Sequence, residues 1–108
     1  MVNFQSRTEA RRHPRFRLHI DMRIHCRTGG LLSGHTVDIS ESGISAMLII
    51  EVPIGEVVEL DFELPLGPVN VRAVVRQRTA FRYGFQFVQP NAAESLIMDS
   101  CRSLTPCD

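Results

Sequence analysis

The sequence predicts a mainly all-β domain, with six short strands closing a barrel or sandwich, one C-terminal helix, and a flexible arginine-rich N-terminal arm. Three observations predict it. Apolar and polar residues alternate at a period of two in short segments, turn-forming Gly, Pro, Asn and Ser separate those segments at regular intervals, and helical spacing emerges only near the end of the chain. At 108 residues and 44% hydrophobic, the chain suits a single core rather than two.

Residues 1–15 show no period, and Pro14 turns His13 away from helical geometry, so this stretch reads as an extended arm. From Arg17 to Arg27 the alternation is strict: Leu18, Ile20, Met22, Ile24 and Cys26 face one way and charged residues the other, which predicts one continuous half-buried strand. Thr28-Gly29-Gly30 makes a turn, and Leu31 to Ile39 returns as a second strand whose clearest apolar positions are Val37 and Ile39. After a polar bend at Ser40-Glu41-Ser42-Gly43, Ile44 to Ile50 reads as a third strand ended by Pro53-Ile54-Gly55-Glu56.

Val58, Leu60, Phe62 and Leu64 alternate with Glu59, Asp61 and Glu63 in a fourth strand with an acidic outer face, closed by Pro65-Leu66-Gly67-Pro68. Val69, Val71, Ala73 and Val75 then place Arg72 and Arg76 outward on a fifth. Phe81, Tyr83, Phe85 and Phe87 mark a sixth and point to the core, with Gly84 where a side chain would crowd a neighbour. Asn91 is positioned to cap a final helix in which Ala92, Leu96, Ile97 and Leu104 recur before Pro106 stops it.

The net charge is zero, but its distribution is uneven. Residues 1–27 hold seven arginines against Glu9 and Asp21, a local excess of +5 that the rest of the chain balances. Such segregation predicts a local anion site rather than a general nucleic-acid surface. Every basic residue is Arg, whose planar fork suits bidentate contacts to phosphate or to a guanine edge. No apolar run approaches a membrane span and no signal-peptide layout is present, which predicts a cytoplasmic protein. Cys26, Cys101 and Cys107 match neither a disulfide set nor a zinc pair and read as reduced, with Cys26 in the core and Cys107 in a loose tail. His19 and His25 stand too far apart along one strand to share a metal, and no catalytic constellation is recognisable, so no enzyme activity, cofactor or metal is expected.

Two motifs remain. Arg11-Arg12-His13-Pro14-Arg15 contains an RxxxR spacing, and Asp38-Ile39-Ser40-Glu41-Ser42-Gly43 is a DxSxxG pattern at the bend between the second and third strands. In this order, followed by alternating strands, a Leu64-Pro65 strand end and the late Tyr83-Gly84-Phe85-Gln86-Phe87, they resemble the PilZ domain family, whose members are typically receptors for cyclic di-GMP. The resemblance implies a six-stranded antiparallel split β-barrel over residues 17–108 with a C-terminal α-helix, preceded by a flexible arm over residues 1–16. It also implies cyclic di-GMP as the ligand, gripped by the arm and the bend, and an unknown downstream protein partner.

The chemistry of those residues fits such a ligand. Arg11 and Arg15 suit phosphate and the guanine O6/N7 edge, and Arg12 a phosphate or stacking contact. Asp38 can accept from guanine N1 and N2, Ser40 can donate to an oxygen, and Gly43 allows a positive φ where backbone nears the ligand. Arg76 lies where the family often packs a residue over a base. Two other readings are a PilZ-like interaction module without nucleotide binding and a small nucleic-acid-binding barrel. Intact motifs argue against the first, and zero net charge with an acidic fourth strand against the second.

Overall fold

The computed structural model describes residues 13–27, 30–88 and 90–107. Seven strands and one helix follow in order: β1 (Phe16–Arg17), β2 (Asp21–Cys26), β3 (Gly30–Ile39), β4 (Gly43–Met47), β5 (Val57–Leu64), β6 (Gly67–Thr79), β7 (Arg82–Phe87) and α1 (Asn91–Cys101). Hydrogen-bonded neighbours run β3-β2-β5-β6-β7-β4, and β4 pairs back with β3. The result is a closed six-stranded antiparallel barrel to which β1 adds one short extra strand on β3. Closure leaves few free edges, which is how small all-β domains escape edge-to-edge association.

The predicted strand over 17–27 is broken at Leu18–Ile20. Thr36, fully buried, explains the break: its Oγ1 donates to the Leu18 carbonyl at 2.5 Å and accepts from the Ile20 amide at 2.9 Å. A side chain thus stands in for ladder bonds where the chain leaves one partner stretch of β3 for the next. The turn at Thr28-Gly29 lies outside the described residues.

The inward alternation is otherwise as the sequence predicts. Met22 and Ile24 of β2, Val58 and Leu60 of β5, Val71, Ala73 and Val75 of β6 and Tyr83 and Phe85 of β7 are buried in one core. Each large apolar side chain withdrawn in this way contributes about 1.5–3 kcal/mol. Three expectations about the core change. Phe81 sits in the β6–β7 turn and is 57% exposed, because the strand begins only at Arg82. Cys26, at the end of β2, is only half-buried. Val37 is half-buried as the extra residue of a bulge in β3, where pairing with β4 steps from Thr36↔Ala46 to Asp38↔Ser45.

Helix α1 begins one residue earlier than a capping Asn91 requires: Pro90 occupies the cap position, with no side-chain capping bond. Ile97 and Cys101 turn into the core, and burial pushes the Cys101 thiol up to about 11. The helix ends at Cys101, well before Pro106, and the segment after it is not loose. Phe16 bridges Pro106, Arg17 N donates to Thr105 O at 2.8 Å, and Cys107 N donates to Arg15 O at 2.9 Å. The C-terminal segment therefore holds the backbone that carries Arg15. Among the described residues no helix is long and apolar enough to cross a membrane.

Candidate functional site

A cavity of about 740 Å³ lies on the outer face of the barrel where β4, β6 and β7 meet and β1 approaches. This is an ordinary size for a small-ligand site. Register explains its floor. Gly43 and Ser45 of β4 stand opposite Gln86 and Gly84 of β7, so their outward positions form one surface. Gln77 reaches the same surface because β6 carries a bulge between Val75 and Gln77, which resets the parity and pairs Gln77 with Gly84.

Gly43 is required here, for a reason other than a positive φ. Its backbone is not in the left-handed region, but a Cβ would meet the Phe85 carbonyl oxygen at 2.3 Å, so only glycine lets β4 pair with β7 at this point. Gly84 is not crowded: a Cβ there would sit 3.5 Å from the Gln77 side chain, an ordinary contact. Its missing side chain leaves the cavity floor clear.

Among the described residues three arginines line the cavity, Arg15, Arg76 and Arg82, and no Asp or Glu does. His13, Ser42, Gln77 and Thr79 add polar groups to the wall. Asp38 lies just beneath. The bulge at Val37 turns it outward beside Ser45, and its side chain is only 7% exposed. Its Oδ1 accepts from Arg15 Nε at 3.0 Å, from Arg15 Nη2 at 2.7 Å and from Ser45 Oγ at 2.9 Å. Its Oδ2 accepts from Arg82 Nη2 at 2.7 Å. One buried carboxylate therefore anchors two guanidinium groups, the strong, charge-assisted kind of contact.

The remaining predicted residues fall as follows. Ser40 is fully buried within the bend, where its hydroxyl accepts from the Ser42 amide at 3.2 Å, and it does not line the cavity itself. Arg76 donates through Nε to Gln86 Oε1 at 2.6 Å, which steadies its fork at the rim. Arg11 and Arg12 lie outside the described residues. Arg82 was not expected. It was legible in principle, because Arg82, Gly84 and Gln86 are the outward partners of the inward Tyr83, Phe85 and Phe87, and this outward face looks into the cavity. Among the described residues no group of three His, Cys, Asp or Glu could hold a metal ion. Arg72 stands opposite Glu59 without an ion pair to it among the described residues, and His25 meets Asp61 on the far face of the barrel.

A family model, described as the PilZ domain, matches residues 9–102. The chain belongs to the PilZ domain family. Sequence comparison with curated proteins finds no match. Among solved structures, this PilZ domain is similar to the inhibitor of motility MotI/DgrA of Bacillus subtilis, with a TM-score of 0.74 and 18% identity over 86% of this chain. The chain spans only 50% of MotI/DgrA. It is also similar to the PilZ domain of CeSA from a cellulose-synthesizing bacterium, with a TM-score of 0.66 and 15% identity over 82% of this chain and 95% of that one. The PilZ domain of YcgR from Escherichia coli, solved with c-di-GMP, gives a TM-score of 0.68 and 17% identity over 87% of this chain and 90% of that one. At these identities the shared property is the fold.

Proposed function

We propose that this PilZ domain is a cyclic di-GMP receptor whose ligand occupies the cavity over β4 and β7. The observation that carries the reading is a wall that, among the described residues, holds three arginines and no acid, set against the DxSxxG bend. A cyclic dinucleotide offers two phosphates and two guanines, both of which accept an arginine fork. Arg15 and Arg76 supply forks from opposite sides, and Gly43 lets the bend lie close beneath the ligand. Ser40 acts by shaping that bend. Arg11 and Arg12, in an arm over residues 1–16, close over the ligand from the N-terminal side, and the ligand's negative charge offsets the arm's self-repulsion. The family membership and the YcgR domain solved with c-di-GMP support the same ligand. The reaction is binding, and the output is passed to a downstream protein from the cytoplasm.

Calorimetric titration tests the proposal. Cyclic di-GMP should bind the wild-type chain, and Arg15→Ala should weaken binding about ten- to a hundredfold, the loss of one charge-assisted contact. A linear dinucleotide and a short RNA, each at two salt concentrations, run alongside. RNA binding that falls steeply with salt would replace this reading with a nucleic-acid surface. Binding of none of the three would leave an interaction module.

A further inference from the structure

The cavity holds more cationic donors than the two motifs supply, and the carboxylate beneath it is engaged by two of them. Asp38 Oδ1 accepts two bonds from Arg15 and one from Ser45, which fills it, and Oδ2 accepts one from Arg82. Its side chain is 7% exposed and is absent from the cavity wall, so its main contacts are the two arginines it holds. Arg82 is the reverse case. Only its Nη2 is engaged, by Asp38 Oδ2 at 2.7 Å and Ser45 Oγ at 3.3 Å, so Nε and Nη1 keep their donors among the described residues, at the cavity wall.

We infer that Arg82 is a third ligand-gripping guanidinium of this site, and that Asp38 is the positioning residue that sets Arg15 and Arg82 side by side beneath the ligand. This rests on the anionic-ligand reading above. The charge arithmetic favours it: one buried negative charge holds two positive ones, so a net positive charge remains facing a wall that has no acid among the described residues. Anchoring through a shared carboxylate also fixes both forks before the ligand arrives, which removes part of the side-chain ordering that binding would otherwise cost. The backbone cooperates. Gly84 lies between Arg82 and Gln86 on the outward face of β7, opposite Ser45, and Arg82 reaches across Ser45 to Asp38.

The test uses cyclic di-GMP titrated calorimetrically into the wild type, Arg82→Ala, Arg82→Lys and Arg72→Ala, the last a control outside the cavity. A thermal melt of each variant checks the fold. We expect Arg82→Ala to bind tenfold or more weakly, Arg82→Lys to recover part of the loss, and Arg72→Ala to stay within twofold of wild type. Wild-type binding with Arg82→Ala within threefold of it overturns the role of Arg82. Should Arg82→Ala melt early, Arg82→Gln, which removes the charge and keeps a polar side chain, takes its place under the same threefold criterion.

Arginine Nε–H resonances give a second readout. In ligand-free protein the Arg15 signal should be protected from exchange by Asp38 and lose that protection in Asp38→Asn. Unchanged protection overturns the positioning role. If the wild type does not bind cyclic di-GMP, the receptor reading fails on its own, and inorganic pyrophosphate becomes the probe. A shift of the Arg82 Nε–H signal then upholds an anion site at Arg82, and no shift overturns it.

Discussion

Single side chains decide where this barrel can close and where it can bind. Gly43 is the sharpest case, because the atom that would clash with a new Cβ is the Phe85 backbone oxygen at 2.3 Å, which cannot rotate away. Gly43→Ala should therefore force β4 and β7 apart and cost about 1–3 kcal/mol, read as a lowered denaturation midpoint in the absence of ligand. A midpoint unchanged by the substitution would assign the glycine to ligand contact alone. Thr36 carries a comparable burden. Thr36→Val removes both bonds that bridge the break between β1 and β2 while keeping nearly the same shape, so the part-buried Ile20 amide and the buried Leu18 carbonyl lose that partner. The cost should be about 1–3 kcal/mol, whereas Thr36→Ser, which keeps the hydroxyl, should lose only about 0.8 kcal/mol for the missing methyl. Equal losses in the two variants would show that packing, and not the hydroxyl, matters there.

At the scale of elements, neighbouring strands exchange polar groups on the outer face as well as apolar ones within. Asp61 of β5 lies between Arg23 of β2 and Asn70 of β6 in the ladder, and His25 approaches diagonally. The Asn70 amide bond, 2.5 Å to Oδ1, together with His25 and Arg23, holds the Asp61 carboxyl below the ordinary carboxylate range. A carboxyl depressed by folding stabilises the native state above its unfolded value, near 3.9, and that contribution disappears as the pH falls through the folded value. Acid unfolding followed by fluorescence or circular dichroism should thus be less steep below about pH 4 in Asp61→Asn than in wild type; parallel curves would remove Asp61 from the acid response. Elements also show what the sequence could and could not convey. Period-two alternation revealed β2, β5, β6 and β7 because burial on one face is a local pattern. The same pattern hid the two bulges: at Val37 and beside Gln77 an extra residue resets which face is inward, and no local preference announces it. Those bulges turn Asp38 outward and bring Gln77 to the cavity, so the motif residues could be identified while their roles could not. Arg82 escaped notice because its neighbour across the cavity, β4, lies some 35 residues earlier, and only the closed barrel brings them together.

Across the whole molecule, the two ends of the domain meet at the candidate site. Arg15 reaches into the cavity from a backbone whose carbonyl is bonded by the Cys107 amide, and the next strand position, Arg17, donates to Thr105. Barrel, helix and C-terminal segment therefore form one path: Ile97 and Cys101 seat α1 on the core, and the residues beyond the helix brace β1 from the side that β3 does not cover. The bracing is separable from the core, since Leu104 is the last residue that packs on it. A chain ended after Leu104 should keep the barrel and lose only the two backbone bonds, a cost of about 1–3 kcal/mol. The Arg17 amide should then exchange much faster with solvent, while the amides of β5 and β6 keep their protection. Because Arg15 would lose its backbone anchor, cyclic di-GMP affinity should fall several-fold, a smaller effect than Arg15→Ala produces. Hydrogen exchange on the ligand-free protein decides the mechanical part of this prediction independently of any ligand. If Arg17 remains as protected as before, β3 alone holds β1 and the C-terminal segment plays no part in presenting the arginine.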